Sequence, residues 1–148
     1  MMRKAVGAIV FQANQFLLIN KTKINTNEGK EDIEGEWDFI KGGVEQRDRS
    51  LIDSLLRELK EETGSSEYKI IKQLDEKICF DFPDEIKKKI GYERQETTMF
   101  LVEFLGDVNN LAPIDNEISA IRFEVKEKVL DMLTHSDSRD YFINILRV

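Results

Sequence analysis

One cysteine and one histidine, Cys79 and His135, are all that the 148 residues contain of either type. A single cysteine has no partner for an internal disulfide, which suits a reducing compartment. Two such side chains also fall short of the ligand sets from which zinc sites are built. Cys79, between Ile78 and Phe80, reads as a small buried hydrophobe. His135, in the polar stretch Thr134-His135-Ser136-Asp137, reads as a surface residue. Thiol and zinc chemistry are therefore disfavoured. Long apolar runs are missing too. The stretch Val6 to Phe11 is far short of the roughly 20 residues that span a bilayer, and the start lacks the small-residue cleavage pattern of a secretory signal. The expectation is a cytoplasmic protein with no membrane partner. Basic residues are in deficit, 22 against 29 acidic, for a net charge of −7. Such a surface repels nucleic-acid phosphates and disfavours broad non-specific binding to them. An anionic substrate then requires metal ions between its phosphates and the protein's carboxylates.

What is present suits a globular chain. Hydrophobic residues make up 41% and charged residues 34%, too apolar a mixture for disorder. A chain of this length buries roughly 70% of its unfolded surface, enough for one core and not for two. No repeat, linker or low-complexity tract divides it, so one domain over residues 1–148 is expected. Arg3–Phe11 and Gln15–Asn20 read as strands joined by Gln12-Ala13-Asn14. Lys21–Glu36, polar and carrying two glycines, reads as an exposed loop, and Trp37–Ile40 returns to strand character. Further strands are expected within Tyr68–Phe82, over Thr97–Phe104 and over Ala120–Val125. Short helices are expected over Pro83–Ile90, Val125–Leu133 and Asp137–Leu146. Strands around a central helix, with helices closing the chain, indicate an α+β or α/β sandwich.

The central helix, Leu51–Glu62, carries the chemistry. Ser50 is its expected N-cap, with Asp53 at the capping-box position, and Gly64 is its expected C-cap. At 100° per residue, Leu51, Ile52, Leu55, Leu56 and Leu59 make one apolar arc. Glu58, Glu61 and Glu62 converge at its edge, at spacings where like charges repel. Arg57 supplies part of the compensation, and a hard divalent cation such as Mg²⁺ suits the rest. Gly42-Gly43, just ahead of the helix, lets a backbone carbonyl approach the same ion.

Gly42-Gly43 together with Arg57-Glu58-Leu59-Lys60-Glu61-Glu62-Thr63-Gly64 resembles the Nudix box: Gly, five residues, Glu, seven residues, Arg-Glu-apolar-any-Glu-Glu-any-Gly. The second half matches at every defined position. The first half departs from it. Counted from Gly42 the acidic position is Asp48, separated from Arg57 by eight residues instead of seven, and counted back from Arg57 it is Arg49. A one-residue insertion in Gln46-Arg47-Asp48-Arg49 accounts for this, with Asp48 substituting for the missing Glu. Trp37-Asp38-Phe39-Ile40-Lys41-Gly42-Gly43, Phe80-Asp81-Phe82-Pro83, Gln95 and Met99-Phe100-Leu101 are similar to the RNA pyrophosphohydrolase and asymmetric diadenosine tetraphosphate hydrolase branch. Ile40 stands there for a proline, Thr97 for a glutamine and Met99 for a tryptophan. Glu117-Ile118-Ser119-Ala120-Ile121-Arg122-Phe123 resembles the segment that supplies a further carboxylate ligand, at Glu117.

The resemblance implies an α/β/α sandwich of the Nudix type, with the catalytic helix and C-terminal helices packed on a mixed sheet. It implies Mg²⁺, or alternatively Mn²⁺, held by Glu58, Glu61, Glu62, Glu117, Asp48 and a carbonyl at Gly42 or Gly43. The ions neutralise a diphosphate and activate a water, Glu61 takes its proton, and Arg57 orients Glu61. Lys41, Arg47, Arg49 and Arg94 are candidates for phosphate contacts, with an ordinary surface role as the alternative. Trp37, Phe82 and Tyr92 are candidates for stacking on a base, with core packing as an equal alternative for Trp37 and Phe82 and simple exposure for Tyr92, and Gln95 completes the substrate-binding set. The implied substrate is a nucleotide or phosphorylated small molecule: a dinucleoside polyphosphate, a 5′-triphosphorylated RNA end, a nucleoside triphosphate or a nucleotide sugar. The acting unit is a monomer or a homodimer. Two readings compete with the enzyme: a Nudix-fold nucleotide-binding module without turnover, and an interaction domain whose acidic helix only keeps it soluble.

Overall fold

The computed structural model describes residues 1–114 and 117–147, apart from the side chain of Asn25. Its elements in chain order are β1 (Met2–Gln12), β2 (Gln15–Thr26), β3 (Gly29–Asp38), β4 (Ile40–Gly43), α1 (Leu51–Thr63), β5 (Tyr68–Asp81), α2 (Asp84–Ile90), β6 (Arg94–Phe104), a 3₁₀ turn (Val108–Asn110), β7 (Ile118–Val125), α3 (Lys126–Met132) and α4 (Ser136–Leu146). The strands form one seven-stranded mixed sheet, ordered β3-β2-β1-β6-β5, with β4 paired to β1 and β7 to β2. β1 and β6 run parallel over Met2–Phe11, and the other pairings are antiparallel.

Alternation along β1 explains the layering. Val6, Ala8 and Val10 point to one face, where they pack with Ile40, Phe100, Val102 and the α1 residues Leu55 and Leu59. Ile9 points to the other face, where Phe39, Met99, Val129, Leu133, Tyr141 and Phe142 make a second core beneath α3 and α4. Helices on both faces of a mixed sheet give the expected α/β/α sandwich. Among the described residues no helix is long and apolar enough to cross a membrane.

Three sequence expectations need correction. Lys21–Glu36 is not a loop: β2 continues to Thr26 and pairs with β3 through Lys23↔Asp32, Ile24↔Glu31 and Thr26↔Gly29. β3 is exposed over most of its length, so it lacks the alternation that marks a half-buried strand, and backbone pairing alone defines it. Cys79 is exposed rather than buried, because Ile78 takes the inward position of the β5 alternation and Cys79 the outward one. The apolar arc of α1 is narrower than the sequence suggests. Leu55 and Leu59 are fully buried, but Ile52 is 44% and Leu56 39% exposed, because one helix face touches the sheet and those residues overhang it.

Candidate active site

Two chain segments meet at one end of the sheet. β4 brings Gly42 and Gly43 alongside β1, with Val6↔Gly42 and Ala5↔Gly43 in register. α1 then packs over them, starting where Ser50 Oγ accepts from the Asp53 amide at 3.1 Å. It ends at Gly64, whose φ of +78° is the left-handed conformation of a helix C-cap. Between these caps the helix turns Glu58 and Glu62 inward. Both are buried, while the Glu61 side chain keeps 45% of its surface in solvent. Gly42 faces the Glu58 carboxyl so closely that a β-carbon there would overlap it. Burial pushes the Glu58 pKa up, and the Arg57 guanidinium partly offsets the shift.

Arg57 ties the site together. Its Nε and Nη2 donate to the two oxygens of Asp48 at 3.0 and 2.8 Å, a bidentate pair. Nη2 also donates to the Gly43 carbonyl at 3.0 Å, and Nη1 donates to Glu58 at 2.9 Å and Glu61 at 3.4 Å. Asp48 accepts in addition from Ser54 Oγ at 2.7 Å and from the Glu45 amide at 2.8 Å. This corrects the metal-ligand role expected of Asp48. Both of its oxygens are committed, so it braces Arg57 and closes the loop ahead of α1. The loop turns tightly there, the Asp48 amide donating to the Glu45 carbonyl at 3.0 Å.

The donors around Asp48 hold its carboxyl well below the ordinary 3.8, the Arg57 hydrogen bonds contributing most. The sign follows directly. A depressed folded-state pKa stabilises the fold above about pH 4, and this contribution fades as pH falls toward the folded value. Asp48→Asn should therefore melt below the wild type at pH 7. The gap between the two melting curves should shrink near pH 2, and a gap independent of pH would contradict the assignment.

The proposed substrate contacts sort unevenly. The Lys41 ammonium lies 3.0 Å from Asp38 and donates to Ser138 Oγ at 2.9 Å. Ser138 in turn donates to Asp38, so Lys41 fastens α4 to the sheet. Trp37 is half-buried against the core beneath α3 and α4, and its amide donates to Thr134 Oγ1. Arg47 bonds Glu45 and pairs with Glu61 at 3.7 Å. Arg49 is exposed ahead of α1, Arg94 lies 4.0 Å from Asp81, and Tyr92 is half-buried. Phe82 is half-buried edge-on to Phe80, with centroids 5.0 Å apart. Gln95 is buried and accepts from Arg3 Nη1 at 2.6 Å while donating to Thr97 Oγ1.

Arg3 is the residue that sequence reasoning missed. Its guanidinium stands against Gly43 and bonds Gln95, and its charge reaches Glu58. The available signal was a charged residue opening a strand that is otherwise apolar.

Glu117 is buried and forms an ion pair with Lys30 at 3.7 Å. The Ala112 and Ile114 amides donate to the carbonyls of Thr63 and Glu62, and Ile118 shares a core with Leu55 and Leu59.

A family model described as the NUDIX domain matches residues 1–143 of this chain. The chain belongs to the Nudix family. RNA pyrophosphohydrolases of Campylobacter jejuni and Bartonella bacilliformis are 32% and 30% identical to it. The matches cover 76% and 74% of this chain, and 72% and 65% of the relatives' own lengths. Its fold superimposes on a NUDIX hydrolase from Nitrosomonas europaea with a TM-score of 0.74 at 14% identity, covering 99% of this chain and 90% of that one. A C. elegans Ap4A hydrolase gives a TM-score of 0.68 at 16% identity, covering 98% of each chain. Family and relatives together support an enzyme that hydrolyses a pyrophosphate linkage, and the family generally works with divalent metal ions.

The residues present suit such an ion. Glu58, Glu61 and Glu62 offer hard oxygen donors from adjacent turns of one helix, and Gly42 leaves backbone room beside Glu58. Among the described residues no three acidic, Cys or His side chains already converge on one point. Arg57 draws Glu58 and Glu61, and Lys30 draws Glu117.

Proposed function

We propose that this Nudix enzyme removes pyrophosphate from a 5′-triphosphorylated RNA end, using Mg²⁺ with Mn²⁺ as the alternative ion. One observation carries the reading: Glu58 and Glu62 are buried acids on successive turns of α1, and Glu58 is set against Gly42 so closely that a β-carbon there would block it. Burying two carboxylates together is costly unless a strong cation compensates. Glu58, Glu61, Glu62 and Glu117 would hold the metal, with the Gly42 carbonyl beside them. When bound, the ion would neutralise the diphosphate and lower the pKa of a coordinated water.

The chain's own groups do the rest. Glu61, the most solvent-exposed of the three helix acids, accepts the proton of the attacking water. Arg57 fixes the Glu58 and Glu61 carboxylates from a platform braced by Asp48, so it acts through them. Arg3, held by Gln95 at the mouth beside Gly43, offers a guanidinium to the phosphate chain. Phe82 and Phe80 offer an aromatic edge to a terminal base. The net charge of −7 favours recognition of an RNA end over recognition of RNA along its length. A dinucleoside polyphosphate offers the same 5′-linked phosphate chain and is the second reading, supported by the fold shared with the Ap4A hydrolase.

The test is a product-release screen with Mg²⁺ over 5′-triphosphorylated RNA, diadenosine polyphosphates, nucleoside triphosphates and ADP-ribose. Highest kcat/KM on the RNA end, with pyrophosphate or successive phosphates as product, is the expected result. Preference for a mononucleotide would overturn the substrate, and ligand-induced stabilisation without product would leave a binding module.

A further inference from the structure

We propose that Lys41 is a positioning residue: with Asp38 and Ser138 it locks the Gly42 strand from the face opposite α1. The inference rests on the reading of Gly42 as part of the active site. It begins with how lightly β4 is held. Four residues long, β4 pairs with β1 from Ala5↔Gly43 to Ala8↔Ile40, and among the described residues it pairs with no second strand. A short strand with one open edge has few backbone bonds to fix its path. Its side chains alternate between faces. Ile40 packs with Leu55 and Leu59 and Gly42 faces Glu58, whereas Phe39 and Lys41 turn to the α4 face.

On that face the contacts close into a ring. The Lys41 ammonium donates to Ser138 Oγ at 2.9 Å and lies 3.0 Å from Asp38 Oδ2, while Ser138 Oγ donates to Asp38 Oδ1 at 2.9 Å. Asp38 Oδ1 also accepts from the Phe39 amide at 2.8 Å, which ties the ring to the backbone just ahead of β4. Ser138 is 1% exposed and lies one turn ahead of Phe142, whose ring centroid is 5.4 Å from that of Phe39. Ser138 therefore stands on the core-facing side of α4, where a hydroxyl is costly without partners. β1 leaves room for the arrangement, since a β-carbon at Gly7, in register with Lys41, would stand 3.0 Å from Lys41 Cγ.

The Lys41 and Asp38 side chains keep only 14% and 19% of their surface in solvent, so water screens their attraction little. Each of the three groups bonds the other two, and a ring of this kind holds one geometry rather than several. It restrains β4 from the α4 face. Arg57, donating to the Gly43 carbonyl at 3.0 Å, restrains the same strand from the α1 face. Gly42 lies between these two holds, and its approach to the Glu58 carboxyl depends on both. A displacement of about an ångström at a reacting centre costs about 10²-fold in rate. Lys41 acts through the strand and touches no reacting atom.

Ser138→Ala cuts the ring from α4 with a small change of volume, and Lys41→Met removes the ammonium. Each variant is assayed in the full chain below its melting midpoint, on whichever substrate of the screen has the highest kcat/KM. In both, kcat should fall about five- to tenfold with KM unchanged, part of the loss that a full ångström would bring. In the metal-free chain, hydrogen exchange of residues 40–43 should quicken while β6 keeps the wild-type rate. Adding Ser138→Ala to Gly42→Ala should cost no further activity. A raised KM with unchanged kcat in Lys41→Met overturns the proposal and makes Lys41 a substrate contact. Wild-type kcat in Ser138→Ala, or exchange that quickens equally in β6, overturns it in favour of plain structural support. Losses that add in the double variant overturn the route through Gly42. Full activity in Gly42→Ala is a separate failure: it removes Gly42 from the site, whatever the ring does to exchange, and the proposal falls with it.

Discussion

Glu62→Gln should reduce turnover by at least about 10³-fold while leaving the melting temperature no lower than that of the wild type. The first half follows from electrostatics. A metal ligand contributes several kcal/mol of transition-state charge stabilisation, and each 1.36 kcal/mol is about tenfold in rate. An amide keeps the shape of the carboxylate but not its charge. The second half follows from burial. Glu62 is 6% exposed and lies one turn from Glu58, whose own pKa burial has raised. Neutralising one of two neighbouring buried acids relieves the repulsion between them and the cost of desolvating the charge. Parallel measurement of kcat and of the thermal midpoint separates this from general damage. Lost activity with a collapsed midpoint would make Glu62 structural, and retained activity would remove it from the metal set.

The same division between charge and support explains which parts of the site the sequence made legible. α1 was legible except at the exposed Ile52 and Leu56: Ser50 and Gly64 announce its caps, and the Leu51, Leu55 and Leu59 stripe announces its buried face. Local chemistry governs all of these features, so spacing suffices to find them. Asp48 was misread because a carboxylate ahead of an acidic helix suits a ligand and a brace equally well. Only the position of the Arg57 fork decides between them, and that position depends on the loop path from Glu45 to Ser50. The contacts of Lys41 were hidden for a longer-range reason. Asp38 is three residues away, but Ser138 is 97 residues away in sequence, and no local pattern brings α4 to β4. The hairpin was invisible for the opposite reason to α1. Between Lys21 and Glu36 its strands run past the core, and the polar residues there carry no periodicity to read. Yet that segment carries Lys30 to Glu117. Elements built for burial leave a pattern, and elements built to reach over a site need not.

Gly42 makes the sharpest demand on this account, because its substitution separates activity from stability. Gly42→Ala should lower kcat/KM by about 10²-fold, the cost of misplacing a reacting group by roughly an ångström, while stability falls by no more than about 1 to 2 kcal/mol. The added methyl would meet the Glu58 carboxyl, with no backbone atom among its nearest contacts. A carboxyl at the end of a flexible side chain can swing aside, so the fold accommodates the intrusion by rotating Glu58 away from the strand. The movement breaks the 2.9 Å hydrogen bond from Arg57 to Glu58 and turns the carboxylate away from the metal side of α1. Gly7 provides the contrast on the opposite face of the sheet. A β-carbon there would press on Met99 Sδ, Lys41 Cγ and the Ile40 carbonyl, so Gly7→Ala should cost stability first. Chemical denaturation of both variants beside their kcat/KM values checks the pair. If Gly42→Ala retains full activity, Glu58 can leave its cradle without consequence, and the glycine strand has no part in the chemistry. If it unfolds the chain, the glycine serves packing and the buried acid beside it loses its main functional argument.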